Sequence, residues 1–199
     1  MFSSSDRQSD SGNIWLALGL STSTLFAGLM ALNSVALSVT LRDGSTAFSR
    51  PPELLGASVS SSQANARSAT YRFSVSVPDN AGEPLKAIEL EQQRNLDTIK
   101  FNLDLTRVED GDRAILPSSI QSIPQPSGPD KLRVTFDPPV APGTDLEVIL
   151  KARRNPRHDG IYQFRVEAFP PGDSVQSHSL GYGRLHIIDN GDRDRLRLF

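Results

Sequence analysis

Tyr162-Gln163-Phe164-Arg165-Val166-Glu167-Ala168 (YQFRVEA, 162–168) is the stretch whose reading decides the fold. Its apolar side chains fall on every second residue, with Gln163, Arg165 and Glu167 between them. That period belongs to a strand with one dry face and one wet face. Working outward, the same alternation recurs at Tyr71, Phe73, Val75 and Val77, and again at Leu132, Val134 and Phe136. It continues at Leu146, Val148 and Leu150. Ile99, Phe101, Leu103 and Leu105 give a further run, with all four expected on the buried face.

Between the runs stand Pro78-Asp79-Asn80-Ala81-Gly82, Asp137-Pro138-Pro139, Ala141-Pro142-Gly143-Thr144 and Asn155 to Gly160. Each reads as a turn, because Pro presets φ, Gly admits positive φ, and Asn or Asp bonds its own backbone. The stretches around Val59, Ile88 and Leu185 are candidates for the remaining strands. Leu85–Asn95 is rich in helix formers, yet Ile88 and Leu90 alternate with Glu89 and Glu91, and a strand is expected there. The fold class expected is all-β: an antiparallel β-sandwich, immunoglobulin-like, or a partly closed barrel, preceded by an N-terminal hydrophobic helix.

That helix comes from the other end of the chain. From Ser11 to Leu41 there is no charged side chain. As a cleavable signal peptide it would end at the small-x-small pattern Ser34-Val35-Ala36; as an uncleaved membrane anchor it would span Ile14–Val35. Asp6, Arg7 and Asp10 leave it without a positive leading segment, and Ser21-Thr22-Ser23-Thr24 interrupts it with hydroxyls. A buried helix of a soluble fold is the bland third reading. Cleavage is favoured, which divides the chain into 1–36 (signal peptide or anchor), 37–188 (β-domain) and 189–199 (flexible charged tail). Export to a periplasm, cell envelope or thylakoid lumen follows, with membrane contact through residues 14–36 if they are retained.

The totals exclude several functions. With 21 Lys and Arg against 23 Asp and Glu, no net field attracts nucleic acid. No cysteine is present, which removes disulfides, thiolate nucleophiles and Cys-type zinc sites.

Five strings occur in order: LRDGSTAFSRPPELLGASV (41–59), YRFSVSVPDNAGEPLKAIEL (71–90), FDPPVAPGTDLEVIL (136–150), RRNPRHDGIYQFRVEAFPPG (153–172) and GYGRLHI (181–187). Together they resemble the family catalogued as domain of unknown function twenty-eight-zero-eight, found among exported proteins of cyanobacteria. The resemblance spans roughly Leu37 to Ile188 and rests most on the AGEPL turn, the PPVAPGT turn and the NPxxxGIYxF step. Asp159-Gly160 stands where the family usually carries paired glycines. The resemblance implies an export leader and a compact β-domain, and it implies no reaction, cofactor or catalytic residue.

Candidate chemistry is sparse. His158, His178 and His186, with Asp159, are the candidate ligands for copper or zinc, but no two share the spacing that aligns them on one face. Solvated histidines are the plainer reading. Asp159 with Glu167 is the one candidate acid pair for a hydrolase. Glu109-Asp110-Gly111-Asp112 and Asp189-Asn190-Gly191-Asp192-Arg193-Asp194 depart from the EF-hand register and read as turns. No serine stands in a nucleophile elbow, and Ser179 beside His178 points to the opposite face of a strand. Trp15 lies in the leader, leaving Tyr182 as the surface aromatic for sugar stacking. Lys151, Arg153, Arg154 and Arg157 gather near one loop and form a candidate basic edge for an envelope protein, polymer or lipid headgroup. The tail ends Leu196-Arg197-Leu198-Phe199, a flexible end or an edge strand seeking a partner. The function expected is surface recognition by an exported, non-enzymatic β-domain without a cofactor, the metal module and the hydrolase being the alternatives.

Overall fold

The computed structural model describes residues 39–40 and 44–189; the leader or anchor reading of 14–36 and the segment 190–199 lie outside the described residues. Twelve strands and no helix occur among the described residues. β1 (Val39–Thr40) and β2 (Thr46–Ala47) form a small antiparallel ladder. The remaining strands are β3 (Glu53–Val59), β4 (Thr70–Ser76), β5 (Leu85–Gln92), β6 (Phe101–Asp110) and β7 (Ile115–Leu116), followed by β8 (Ser118–Ile123), β9 (Lys131–Val140), β10 (Asp145–Ala152), β11 (Gly160–Phe169) and β12 (His178–Ile187). Sheet one runs β3-β4-β10-β6-β7 and sheet two runs β12-β11-β5-β9-β8. Every pairing in the two sheets is antiparallel.

Alternation drives the packing. Tyr71, Phe73 and Val75 of β4 and Tyr162, Phe164 and Val166 of β11 are buried. The two sheets meet through rings: Phe73 lies 5.3 Å and Tyr71 6.4 Å from Phe164, centroid to centroid, both edge to face. Such pairs add about 0.5–1.5 kcal/mol each to the burial itself. At one side β3 and β12 close the sandwich across Gly183. A Cβ there would lie 2.8 Å from Cε1 of Phe73 and 2.9 Å from Cβ of Ala57, so only glycine allows this approach. At the other side β7 pairs in sheet one and β8 in sheet two, with Pro117 alone between them. One chain segment thus turns the corner between the layers, a device of orthogonal packings and barrels. The alternatives of sandwich and partly closed barrel resolve into a sandwich bridged at one side.

The stretches around Val59, Ile88 and Leu185 are strands, and the 85–95 region is strand β5 through Gln92. It sits centrally in sheet two, and Glu89 is buried on the outward face beneath Arg133, whose Nη1 donates to Oε1 at 2.8 Å.

Two expectations fail. Leu105 is 56% exposed, while Thr106 and Val108 take the buried face. Arg107 pairs with Ile149 but Asn102 pairs with Lys151, so β6 carries extra residues against β10 and its phase inverts. The Thr106 hydroxyl donates to the Asn102 carbonyl at 3.0 Å across this bulge. Asp137-Pro138-Pro139 is not a turn but part of β9, where a similar irregularity opposes Leu85 and Ala87. Prolines sit there because a bulge needs no ladder N–H. Lys86 Nζ fills part of the gap by donating to the Phe136 carbonyl at 3.0 Å.

Candidate functional site

The bulge in β6 has a consequence at the end of the sandwich where β5, β8 and β10 finish. β7 pairs only with Val108 and Glu109, so the first half of β6 has β10 on one side and no ladder partner on the other among the described residues. β8 likewise pairs with β9 alone. Between these two free edges lies a cleft of about 400 Å³, within the size range of ligand sites. Leu90, Ile99, Phe101, Leu103, Leu132 and Phe164 give it apolar walls. Lys100, Asn102, Asp104, Ser122, Asp130 and Arg153 supply polar groups.

One buried side chain shapes this lining. Gln92 is 4% exposed, donates from Nε2 to the Asp97 carbonyl at 2.8 Å, and accepts the Ile99 N–H at 2.9 Å. It therefore holds the 97–99 segment in place under the cleft. The Arg153 N–H donates to the Lys100 carbonyl at 2.8 Å and ties the rim to β10.

Both outer faces carry ion pairs. On sheet two, Glu89 pairs with Arg133, Glu91 with Lys131 at 3.4 Å, and Glu167 with Arg165, while Arg133 stacks 4.6 Å over Phe169. On sheet one, Arg72 pairs with Glu147 and Arg107 with Glu109. Among the described residues, Lys100, Asp104 and Arg153 have no ion pair. Charges left uncompensated by the fold are those available to a ligand.

The loop leading into β11 is clamped from below. Asn155, 3% exposed, accepts from the Tyr71 hydroxyl at 2.8 Å and donates to the carbonyls of Ser61 and Gln63 at 2.8 and 2.9 Å. Burial pushes the Tyr71 phenol well above its usual range. The Tyr162 hydroxyl donates to the His158 carbonyl at 3.0 Å. Asp97 Oδ2 accepts the N–H groups of His158 and Arg157 at 3.0 and 2.8 Å and lies 2.9 Å from His158 Nδ1. The His158 backbone N–H, above all, holds the Asp97 carboxyl below its usual range, and the imidazole and the Arg157 N–H add to it. The Asn and Tyr of the NPxxxGIYxF step are thus fastenings of a loop.

The structure distributes the candidate ligands. His158 sits on this loop against Asp97, with Asp159 exposed beside it. His178 and His186 lie at opposite ends of β12, paired with Ala168 and Ile161, about 25 Å apart along an extended strand. Among the described residues no three His, Asp or Glu side chains gather as a metal-binding group. Asp159 and Glu167 do not form an acid pair: eight residues of β11 hold them about 25 Å apart, beyond the reach of paired carboxyl catalysis, and Glu167 is engaged by Arg165. In the 109–112 cluster, Asp110 Oδ1 accepts the N–H groups of Asp112 and Ala114 at 3.0 and 2.8 Å, a turn.

Of the basic residues, Lys151 is half-buried and donates to Thr70 Oγ1 at 3.0 Å. Arg153, Arg154 and Arg157 are exposed at the cleft's end of the sandwich, and Arg153 reaches the cleft. Tyr182 is 50% exposed. Leu103, Asp104 and Asp130 carry no sequence signal of their own as a site. The one trace is the phase break after Leu105, where the buried series jumps to Thr106 and Val108.

The fold is similar to the N-terminal domain of a Streptococcus gordonii adhesin (TM-score 0.47, 13% identity, 70% of this chain and 33% of that one). It is also similar to the major pilin SpaD of Corynebacterium diphtheriae (TM-score 0.43, 15% identity, 67% and 33%). A collagen-binding domain of a Staphylococcus aureus adhesin compares at TM-score 0.36 and 9% identity over 60% of this chain and 88% of that one. The chain spans about a third of the length of the first two. No curated protein matches it. Residues 45–187, which contain both five-stranded sheets, match the family described as Protein of unknown function (DUF2808), and the chain belongs to that family.

Proposed function

We propose that this chain is an exported, non-enzymatic recognition domain whose binding site is the cleft between β6 and β8. The observation that supports it is the meeting of apolar walls with Lys100, Asp104 and Arg153, three charges that form no ion pair among the described residues. The exposed Arg153, Arg154 and Arg157 extend the site toward an acidic partner in the envelope: a protein, a polymer or a lipid headgroup. Residues 1–36 serve as the export leader, 37–188 as the recognition domain and 189–199 as a charged tail, and the destination is a periplasm, cell envelope or lumen.

The test places a photo-crosslinking residue at Ser122 in the cleft or, as control, at Ser74 on the outer face of sheet one. Irradiation in native envelope fractions yields an adduct from position 122 that disappears in Arg153→Glu and is not formed from position 74. Equal labelling from both positions, or adducts indifferent to Arg153→Glu, overturns the reading. N-terminal sequencing of the native protein reports whether Leu37 is the mature start.

A further inference from the structure

We propose that the loops at the cleft's end of the sandwich dock on a bilayer of anionic lipid. Leu96, Ile161 and Ile188 enter its headgroup region, and the arginines of the same loops rest on the lipid phosphates. The inference rests on the reading of the basic residues as a recognition edge and commits that edge to a membrane.

Charge comes first, and strand pairing fixes which loops share this end. β3 hands over to β4 there through residues 60–69, β5 to β6 through 93–100, β8 to β9 through 124–130 and β10 to β11 through 153–159; β12 finishes there at Ile187. In these loops Arg67, Arg94, Lys100, Arg153, Arg154 and Arg157 are exposed and form no ion pair among the described residues. They outnumber the carboxylates at this end, Asp97, Asp130, Asp159 and Asp189. Asp97 is already engaged by His158 and the Arg157 N–H, and Asp130 Oδ2 accepts the Ser122 hydroxyl at 2.9 Å. Arg67 and Arg154 stand opposite each other in an antiparallel bridge. Like charges so placed cost stability, and an anion lying over both relieves them. In the loops of the opposite end the balance reverses: Asp79, Glu83, Asp112 and Asp173 outnumber Arg50 and Arg113. The domain is thus polarised along its strands, which turns this end toward an anionic surface.

Apolar side chains come second, and they favour a membrane over a soluble polyanion. Leu96 is 75%, Ile161 49% and Ile188 50% exposed. Asn95 ties the first to β11: its Nδ2 donates to the Ile161 carbonyl at 2.8 Å, and its Oδ1 accepts the Leu96 N–H at 2.8 Å. The Ile188 N–H donates to the Ser62 carbonyl at 2.7 Å, and its carbonyl accepts the Ala64 N–H at 2.8 Å. The 60–69 loop is stitched in turn to 153–159, through the Asn65 N–H on the Pro156 carbonyl at 2.9 Å and the Asn155 N–H on the Ala66 carbonyl at 2.8 Å. These tips therefore stand on a cross-tied base and lose little conformational freedom on docking. None of the three lines the cleft. An apolar side chain exposed among cations gains by entering the boundary between headgroups and acyl chains; a soluble polyanion would leave it in water.

The experiment uses the full chain, which has no cysteine, so one environment-sensitive dye is attached at Thr98→Cys on this end or at Asn80→Cys on the opposite one. Each chain is titrated with vesicles of phosphatidylcholine alone or mixed with phosphatidylglycerol. The dye at position 98 shifts to the blue on the mixed vesicles and weakly on the neutral ones, and the dye at position 80 does not respond. The double variant Arg94→Glu, Arg157→Glu raises the lipid needed for half of the response about tenfold or more. Leu96→Ser raises it about threefold, and Arg50→Glu, a reversal at the opposite end, leaves it unaltered. The contrasts between the two lipids and between positions 98 and 80 need no charge reversal, so they decide the matter even where the double variant fails to fold. No response at position 98, an equal response at position 80 or on neutral vesicles, or a response indifferent to the double reversal overturns the proposal. A response to soluble poly-glutamate that matches the one to vesicles and ignores Leu96→Ser also overturns it, by assigning this end to an acidic polypeptide. Crosslinking from position 122 keeps the two readings apart: an envelope adduct that disappears in Arg153→Glu, on a chain whose dye at position 98 ignores vesicles, leaves recognition by the cleft standing and removes the membrane.

Discussion

The two sides of the sandwich are built differently. Where β3 meets β12, Gly183 lets the layers approach until Phe73 and Ala57 leave no room for one further carbon. Where β6 faces β8, a bulge drives the edges apart and leaves a cleft with apolar walls. The closed side draws its strength from packing. The open side has surrendered packing and gained accessible apolar surface, which in a folded domain marks a place for something else to bind. Substitutions on the closed side are therefore expected to lower stability, and those on the open side to act on the proposed binding.

The sharpest way to break this contrast is Phe73→Ala. It removes the ring that joins β4 to Phe164 and Gly183 and costs about 3–5 kcal/mol in urea unfolding. Gly183→Ala overpacks the same corner and costs about 1–3 kcal/mol, whereas Leu105→Ser on the bulge stays within about 0.5 kcal/mol. A Gly183→Ala chain as stable as the parent would mean that the two sides are not distinct. Between these magnitudes lies Asn155→Ala, which orphans the Tyr71 hydroxyl and two carbonyls and costs about 2 kcal/mol. The smallest effect concerns acid. The Asp97 carboxyl is held below its ordinary range, so the stability it contributes is present above the unfolded carboxylate range and is lost as pH falls through the folded value. Asp97→Asn flattens that part of the acid limb; an unchanged limb means the loop is held without it.

The strands were legible because each needs only its own side chains to declare a face. Tyr162 to Ala168 and Tyr71 to Val77 read correctly for that reason. Leu105 misled because its phase is set by a mismatch with β10, a partner some forty residues away. Pro138 and Pro139 misled because the residues that signal a turn also fit a bulge inside a strand. Leu85–Asn95 was ambiguous because a central strand with Glu89 buried under Arg133 resembles a charged helix until its neighbour is known. The site was the least legible part. His158 and Asp97 meet across a separation of 61 residues. The cleft is made by edges that lack partners among the described residues, and no local pattern records an unmade ladder.

Pro117 anchors the layers on the open side. A single residue separates β7 of sheet one from β8 of sheet two, so the sheets cannot part at that corner. The cleft's lining, by contrast, takes Pro129 and Asp130 from the loop that follows β8. Lengthening the 124–130 loop would therefore reshape the rim while the corner holds the sheets together.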